Sequence, residues 1–227
     1  MKAIKQFGLH RTGTNYIQYI IEQNYDVEVL VNKYSHKHRK CRTDRIPEDV
    51  NILIIIKHPM SWLVSYFKYW CNKGHRNLKT EANFNKFVFG GFHQKAPDDP
   101  IGFWNDSYND WYELKIDRKV VFIRYEDLLV DHVKLCDKVA NELDLDVLHN
   151  GVDFVNADNA MNKGGCPTTG KFDTSFYTEK LFLKWFESKT IQYAEERFDK
   201  ELLKRFGYEV VSGETVKPID NIRLLTI

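Results

Sequence analysis

Two glycines bracket one cation and a hydroxyl in the stretch Gly8-Leu9-His10-Arg11-Thr12-Gly13-Thr14-Asn15. Before it, residues 2 to 7 read as a short buried strand. After it, residues 14 to 24 place Tyr16, Ile17, Ile20 and Ile21 at helical spacing. A glycine-rich turn that opens a helix presents backbone N–H groups without carbonyl partners, and the helix dipole adds partial positive charge. Together they make a site for an anion. Gly8 and Gly13 let the backbone approach a phosphate closely. Thr12 and Thr14 add hydroxyl donors, and Arg11 adds a charge-assisted hydrogen bond of about 1.5–3 kcal/mol. A simpler reading is a strand-to-helix turn capped by Thr12 or Thr14.

The glycine spacing matches the phosphate loop GxxxxGK[ST], in which Lys reaches the β- and γ-phosphates and the hydroxyl holds Mg²⁺. Here Thr14 replaces that Lys and Asn15 replaces the hydroxyl. A triphosphate would lose its neutralising cation and its metal anchor. The residues suit a smaller anion, held without metal. A second chemical cluster is the run 33 to 45, KYSHKHRKCRTDR, with six Lys or Arg, two His and one Asp. His36 and His38 are candidate general bases, since imidazole titrates near pH 6.5. On an extended chain they share a face. A solvated loop and a loop facing an anionic ligand are both open readings of this run. His10 faces phosphate or solvent, and His58 belongs to local structure.

These residues need strands to carry them. VEVLV, 27 to 31, reads as a second strand. NILIIIK, 51 to 57, is the continuous branched run of a central strand buried on both faces. Pro59 opens the next helix, 61 to 70. Further helices are expected at 83 to 89, at the aromatic-rich 102 to 115, and at 131 to 144, with a buried strand and its exit over 119 to 129. Residues 150 to 177, with four Gly and one Pro, read as an ordered loop, and 178 to 206 as helix with one break. The pattern predicts an α/β, three-layer P-loop-type fold with a central, mostly parallel sheet flanked by helices. One domain is expected over 1–210, followed by a C-terminal tail, 211–227. Ligands on such sheets bind at the C-terminal strand ends, which directs function to loops 8 to 14, 32 to 45, 57 to 65 and the stretch from 124 onward.

Composition narrows the class. Hydrophobic residues make up 43% and charged residues 29%, as in globular proteins. A formal net charge of +1 supplies no global field for nucleic acid or a membrane surface. Cys41, Cys71, Cys136 and Cys166 form no CxxC pair, so zinc is not expected and reduced thiols are. The N-terminal residues contain no apolar signal core and no stretch reaches 18 apolar residues, so a cytoplasmic protein without a membrane span is expected.

HRTGTN resembles the first motif, P-[KR]-S-G-T-T, of the sulfotransferases that use 3′-phosphoadenylyl sulfate (PAPS), at Arg11, Thr12, Gly13 and Thr14. The family's second motif is a strand, R-x-P, and a Ser eight residues after the Arg. IIIKHPMSWLVSYFKYW supplies Lys57, Pro59 and Ser65 at that spacing. Lys for Arg keeps the charge and loses the bidentate fork. VVFIRYEDLLVD is similar to a late family strand that exits into Y-E-D. MNKGGCPTTGKFDTSFYT matches part of the family's R-K-G-x-x-G-D-W loop, with Asn162 where Arg is expected.

The resemblance implies PAPS as donor, adenosine 3′,5′-bisphosphate as product, and no metal. It assigns Arg11 to the 5′-phosphosulfate and the bridging oxygen, with Thr12, Gly13, Thr14 and Asn15 around it. It assigns Lys57, Ser65, Lys163 and Gly164 to the 3′-phosphate. Tyr125 is left either beside the adenine or in a structural role. The family's base often lies after the second strand in a K-T-H or K-H sequence. That points to His36 or His38, with Lys37-His38 the tighter match. The implied activity is sulfuryl transfer to a hydroxyl or amine of a small-molecule or glycan-like acceptor. The basic run favours a polar or anionic acceptor. A degenerate P-loop kinase and a non-catalytic nucleotide-binding module are the alternatives.

Overall fold

Strands β1 (Lys2–Gly8), β2 (Val27–Leu30), β3 (Asn51–Ile56), β4 (Val120–Arg124) and β5 (Leu224–Thr226) form one sheet in the order β2-β1-β3-β4-β5. The structure is a computed structural model, and it describes residues 1–73, 76–90, 97–114, 116–148, 174–208 and 224–226. The first four strands run parallel, and β5 pairs antiparallel with β4. The fold is α/β, a mostly parallel central sheet flanked by helices. Strand β3 pairs on both edges, with Ile4↔Asn51 and Gly8↔Ile55 on one side and Ile52↔Val120 on the other. Its side chains from Ile52 to Ile56 are buried, because a strand covered on both faces has no polar side to show.

The chain steps from β1 to β2 on one side, then returns to place β3 on the other. The crevice outside the C-terminal ends of β1 and β3 is therefore the topological switch point, where such sheets take ligands. Helix α1 (Thr14–Asn24) follows β1 directly and buries Ile17, Ile20 and Ile21.

The described residues divide into two compact units whose segments alternate along the chain. The first comprises those of Met1–Ile56, Trp111–Asp173 and Asn221–Ile227, and the second those of Lys57–Asp110 and Thr174–Asp220. The first holds the sheet, α1, α5 (Tyr125–Val130) and α6 (His132–Glu142). The second holds α2 (Pro59–Asn72), α3 (Glu81–Phe89), all but the end of α4 (Pro100–Tyr112), α7 (Ser175–Thr178), a 3₁₀ turn (Leu181–Trp185), α8 (Ser188–Arg197) and α9 (Lys200–Arg205). Its core is aromatic: Phe67 meets Phe84 and Phe87, and Trp104 packs on Tyr108 and Phe198.

Four local expectations change. The exit of β4 is helical, because Arg124 bonds Asp127 through two hydrogen bonds of 2.8 Å and bends the chain into α5. Of the loop expected over 150 to 177, the part up to 173 lies outside the described residues, and Ser175–Thr178 is a helical turn. The segment 178 to 206 breaks three times, at the left-handed Lys180 and at the extended residues Phe186 and Phe198, and Asp199 caps the last piece by accepting from the Leu202 N–H. The expected tail contains β5, which completes the sheet edge on β4.

Candidate anion-binding site

The turn after β1 is shaped by two close approaches. A Cβ on Gly8 would stand 2.6 Å from the Ile55 side chain on β3. Gly13 caps α1 at φ 89°, and a Cβ there would stand 2.4 Å from the Tyr125 ring. Glycine relieves both the contact and the left-handed backbone. Arg11 also adopts a left-handed backbone, at φ 72°, and its side chain is exposed. That conformation is uncommon for a residue bearing a Cβ and is tolerated where surrounding structure imposes it.

The Thr14 and Asn15 N–H groups at the first turn of α1 have no carbonyl acceptor among the described residues. These are the donors an anion would take. Thr12, expected as a further hydroxyl donor, is already engaged within the turn. Its side chain is fully buried and donates to the Leu9 carbonyl at 2.7 Å, and its N–H goes to the same oxygen. Thr12 instead closes the turn. Tyr125 is buried, and its ring stands against Gly13.

Residues 31 to 40 form turns and bends rather than an extended strand, so His36 and His38 do not share a face by alternation. They separate by depth instead. His36 is exposed, while His38 is partly buried with Nδ1 at 2.6 Å from the Gly8 carbonyl oxygen. A carbonyl only accepts, so Nδ1 carries the hydrogen and Nε2 keeps its lone pair. The His10 ring lies 3.9 Å from that of His38, centre to centre, and the His36 ring 5.1 Å. Burial, with the positive charges of His10, Lys37 and His36, pushes the His38 imidazole down to about 3, against the effect of the Gly8 bond. Burial, with Lys37, Arg39 and Lys5, also lowers His36. Both rings are biased towards the neutral form.

Three residues that sequence reasoning did not assign complete this corner. Lys37 is buried, donates to Asn15 Oδ1, and has its ammonium lowered by burial. The Lys37 carbonyl accepts from the Gly8 N–H at 3.0 Å. Lys5, fully buried on β1, donates to the carbonyls of Leu30, Val31 and Ser35 at 3.0, 3.2 and 2.7 Å. Burial brings its ammonium down to about 8. Gln6 donates to the Thr14 carbonyl at 2.9 Å. A Lys and a Gln inside an apolar strand were the available sequence signals.

In the second unit, Lys57 and Ser65 meet as their spacing predicts. Pro59 opens α2, and Ser65 lies about two turns on. Lys57 Nζ, on a residue only 1% exposed, donates to Ser65 Oγ at 3.1 Å. The Tyr177 ring covers this ammonium at 4.1 Å. His58 packs between Phe182 and Tyr208, which fits its expected local role. Lys163 and Gly164 lie outside the described residues.

Among the described residues no group of three or more His, Cys, Asp or Glu could hold a metal ion, and no helix is long and apolar enough to cross a membrane. The thiols of Cys41, Cys71 and Cys136 are free and buried.

Residues 46–157 match the family model of the sulfotransferase domain. That span contains Lys57, Ser65 and Tyr125, and excludes the turn at 8 to 15 and both candidate bases. Curated relatives include Sulfotransferase 4A1 of Mus musculus, Rattus norvegicus and Homo sapiens, each 26% identical over 97 residues. The alignment covers 42% of this chain and 32% of each relative, so the chain spans about a third of the length of the curated relatives it matches. The likeness to the sulfotransferase domain thus runs through residues 46–157, just under half of the chain.

Proposed function

We propose that the chain transfers a sulfuryl group from PAPS to a hydroxyl or amine of a small polar acceptor. The observation that carries this reading is the hydrogen bond between His38 and the Gly8 carbonyl, which ties a neutral imidazole to an anion-binding turn. The open N–H groups of Thr14 and Asn15 bind the 5′-phosphosulfate. Arg11 meets the charge that grows on the bridging oxygen as the sulfur–oxygen bond breaks. His38 takes the acceptor's proton on Nε2 while the new bond to sulfur forms. The negative donor raises this ring from its low pKa, because a nearby anion favours the imidazolium. Lys57 and Ser65 hold the 3′-phosphate.

Support comes from the family match over 46–157, and from Thr14 and Asn15 standing where an ATP enzyme needs Lys and a hydroxyl. The test is calorimetric titration. Adenosine 3′,5′-bisphosphate is expected to bind without Mg²⁺, and ATP to bind weakly with or without it. Binding of ATP that depends on Mg²⁺, or no binding of the bisphosphate, would overturn the reading.

A further inference from the structure

Lys68 follows Ser65 by three residues on α2, which puts the two on one face of the helix. Its Nζ stands 4.4 Å from the centre of the Phe176 ring and 4.5 Å from that of Trp185. Lys57 Nζ, bonded to Ser65, stands 4.1 Å from the centre of the Tyr177 ring. The Phe176 and Tyr177 rings are 5.0 Å apart and meet edge to face. Two neighbouring rings of one short helix therefore cover two ammonium groups that rise from the same stretch of chain.

Among the described residues Lys68 makes no hydrogen bond or ion pair; the two rings are its partners. Burial lowers its ammonium to about 8, and the charges that add to this, Lys79 and Lys57, are both positive. A surface lysine ordinarily swings out to water or to a carboxylate. This one is held beside another lysine under aromatic faces. A ring face attracts a cation more weakly than a phosphate oxygen does, so the arrangement is open to exchange for an anion.

We infer that Lys68 is a second cation of the subsite formed by Lys57 and Ser65, and that the Phe176 and Tyr177 rings yield both ammonium groups to a phosphate monoester dianion. This rests on the reading in which Lys57 and Ser65 hold the 3′-phosphate of the donor. It adds a residue that sets the preference for a 3′-phosphorylated nucleotide.

The test titrates wild-type, Lys68→Gln and Lys68→Arg chains with adenosine 3′,5′-bisphosphate and, separately, with adenosine 5′-monophosphate. Lys68→Gln is expected to weaken bisphosphate binding about tenfold or more and to leave monophosphate binding unchanged. Lys68→Arg should stay near wild type. Unchanged bisphosphate affinity in Lys68→Gln, or an equal loss for both nucleotides, would overturn the inference while leaving the role of Lys57 and Ser65 standing. A wild-type chain that does not favour the bisphosphate over the monophosphate would instead remove the reading beneath it.

Discussion

The turn after β1 and the start of α2 each present a cation suited to an anion, and they do it by opposite means. The turn relies on backbone: two glycines, open N–H groups and an exposed Arg11 on a left-handed residue. The α2 region relies on side chains: Lys57 and Ser65 are both buried and already bonded to each other. The first arrangement costs backbone strain, the second desolvation of a charge. In the proposed reaction an exposed guanidinium meets charge as it develops, whereas a buried, pre-set ammonium holds substrate and transition state alike. The difference suggests one region for turnover and the other for holding the donor.

The most severe break of this comparison is kinetic. Arg11→Ala should lower kcat by on the order of 10²–10³-fold, the usual effect of removing one donor to a developing oxyanion. Its melting temperature should stay near wild type, because the side chain is exposed. Lys57→Met should raise KM for PAPS about tenfold or more with kcat little changed, the signature of lost uniform binding. If both substitutions alter KM alone, the two regions do the same job and the contrast fails.

A smaller effect separates backbone from side-chain design. Gly13→Ala sets a Cβ against the Tyr125 ring and forces Ala to φ 89°, so it should destabilise by roughly 1–3 kcal/mol in a denaturant melt. Adding Tyr125→Ala removes the collision and leaves the backbone strain, so the Gly13→Ala penalty should shrink in that background. A full penalty there would assign the effect to φ alone.

The mildest effect on stability lies in pH. His38 is depressed in the fold, to about 3 against an ordinary 6.5, so the unfolded chain binds the extra proton first. The stability this ring contributes is therefore present above about pH 6.5 and lost as pH falls from there towards 3. His38→Gln should flatten that part of the stability curve and remove most of the turnover, while His36→Ala should keep most of it. An acid limb near pH 6.5 in kcat/KM of the free enzyme would point to a base other than His38.

Much of the sheet was legible because a run such as Ile52 to Ile56 has one comfortable home, a strand covered on both faces. The pairing of Lys57 with Ser65 was legible too, since a strand end and a position two turns into the next helix are joined by few residues. Long-range contacts were less so. That Thr12 turns inward to Leu9 depends on how tightly the turn closes. That His38 docks while His36 stays outside depends on bends in residues 31 to 38 that no periodicity encodes. Strand β5 is three residues long and finds its place only against β4, so its own sequence reads as tail. One of the extra breaks in 178 to 206 comes from Asp199 competing for a backbone N–H, a cap hidden in an otherwise helical pattern.

Lys5 ties the segment bearing both imidazoles to an inner strand of the sheet, by one nitrogen and three carbonyls. A ring mounted on a free surface loop would wander and have to be recaptured at each catalytic cycle. Here the ring inherits the stiffness of the strand below it, so in the proposed reaction the proton acceptor is aimed before any substrate arrives.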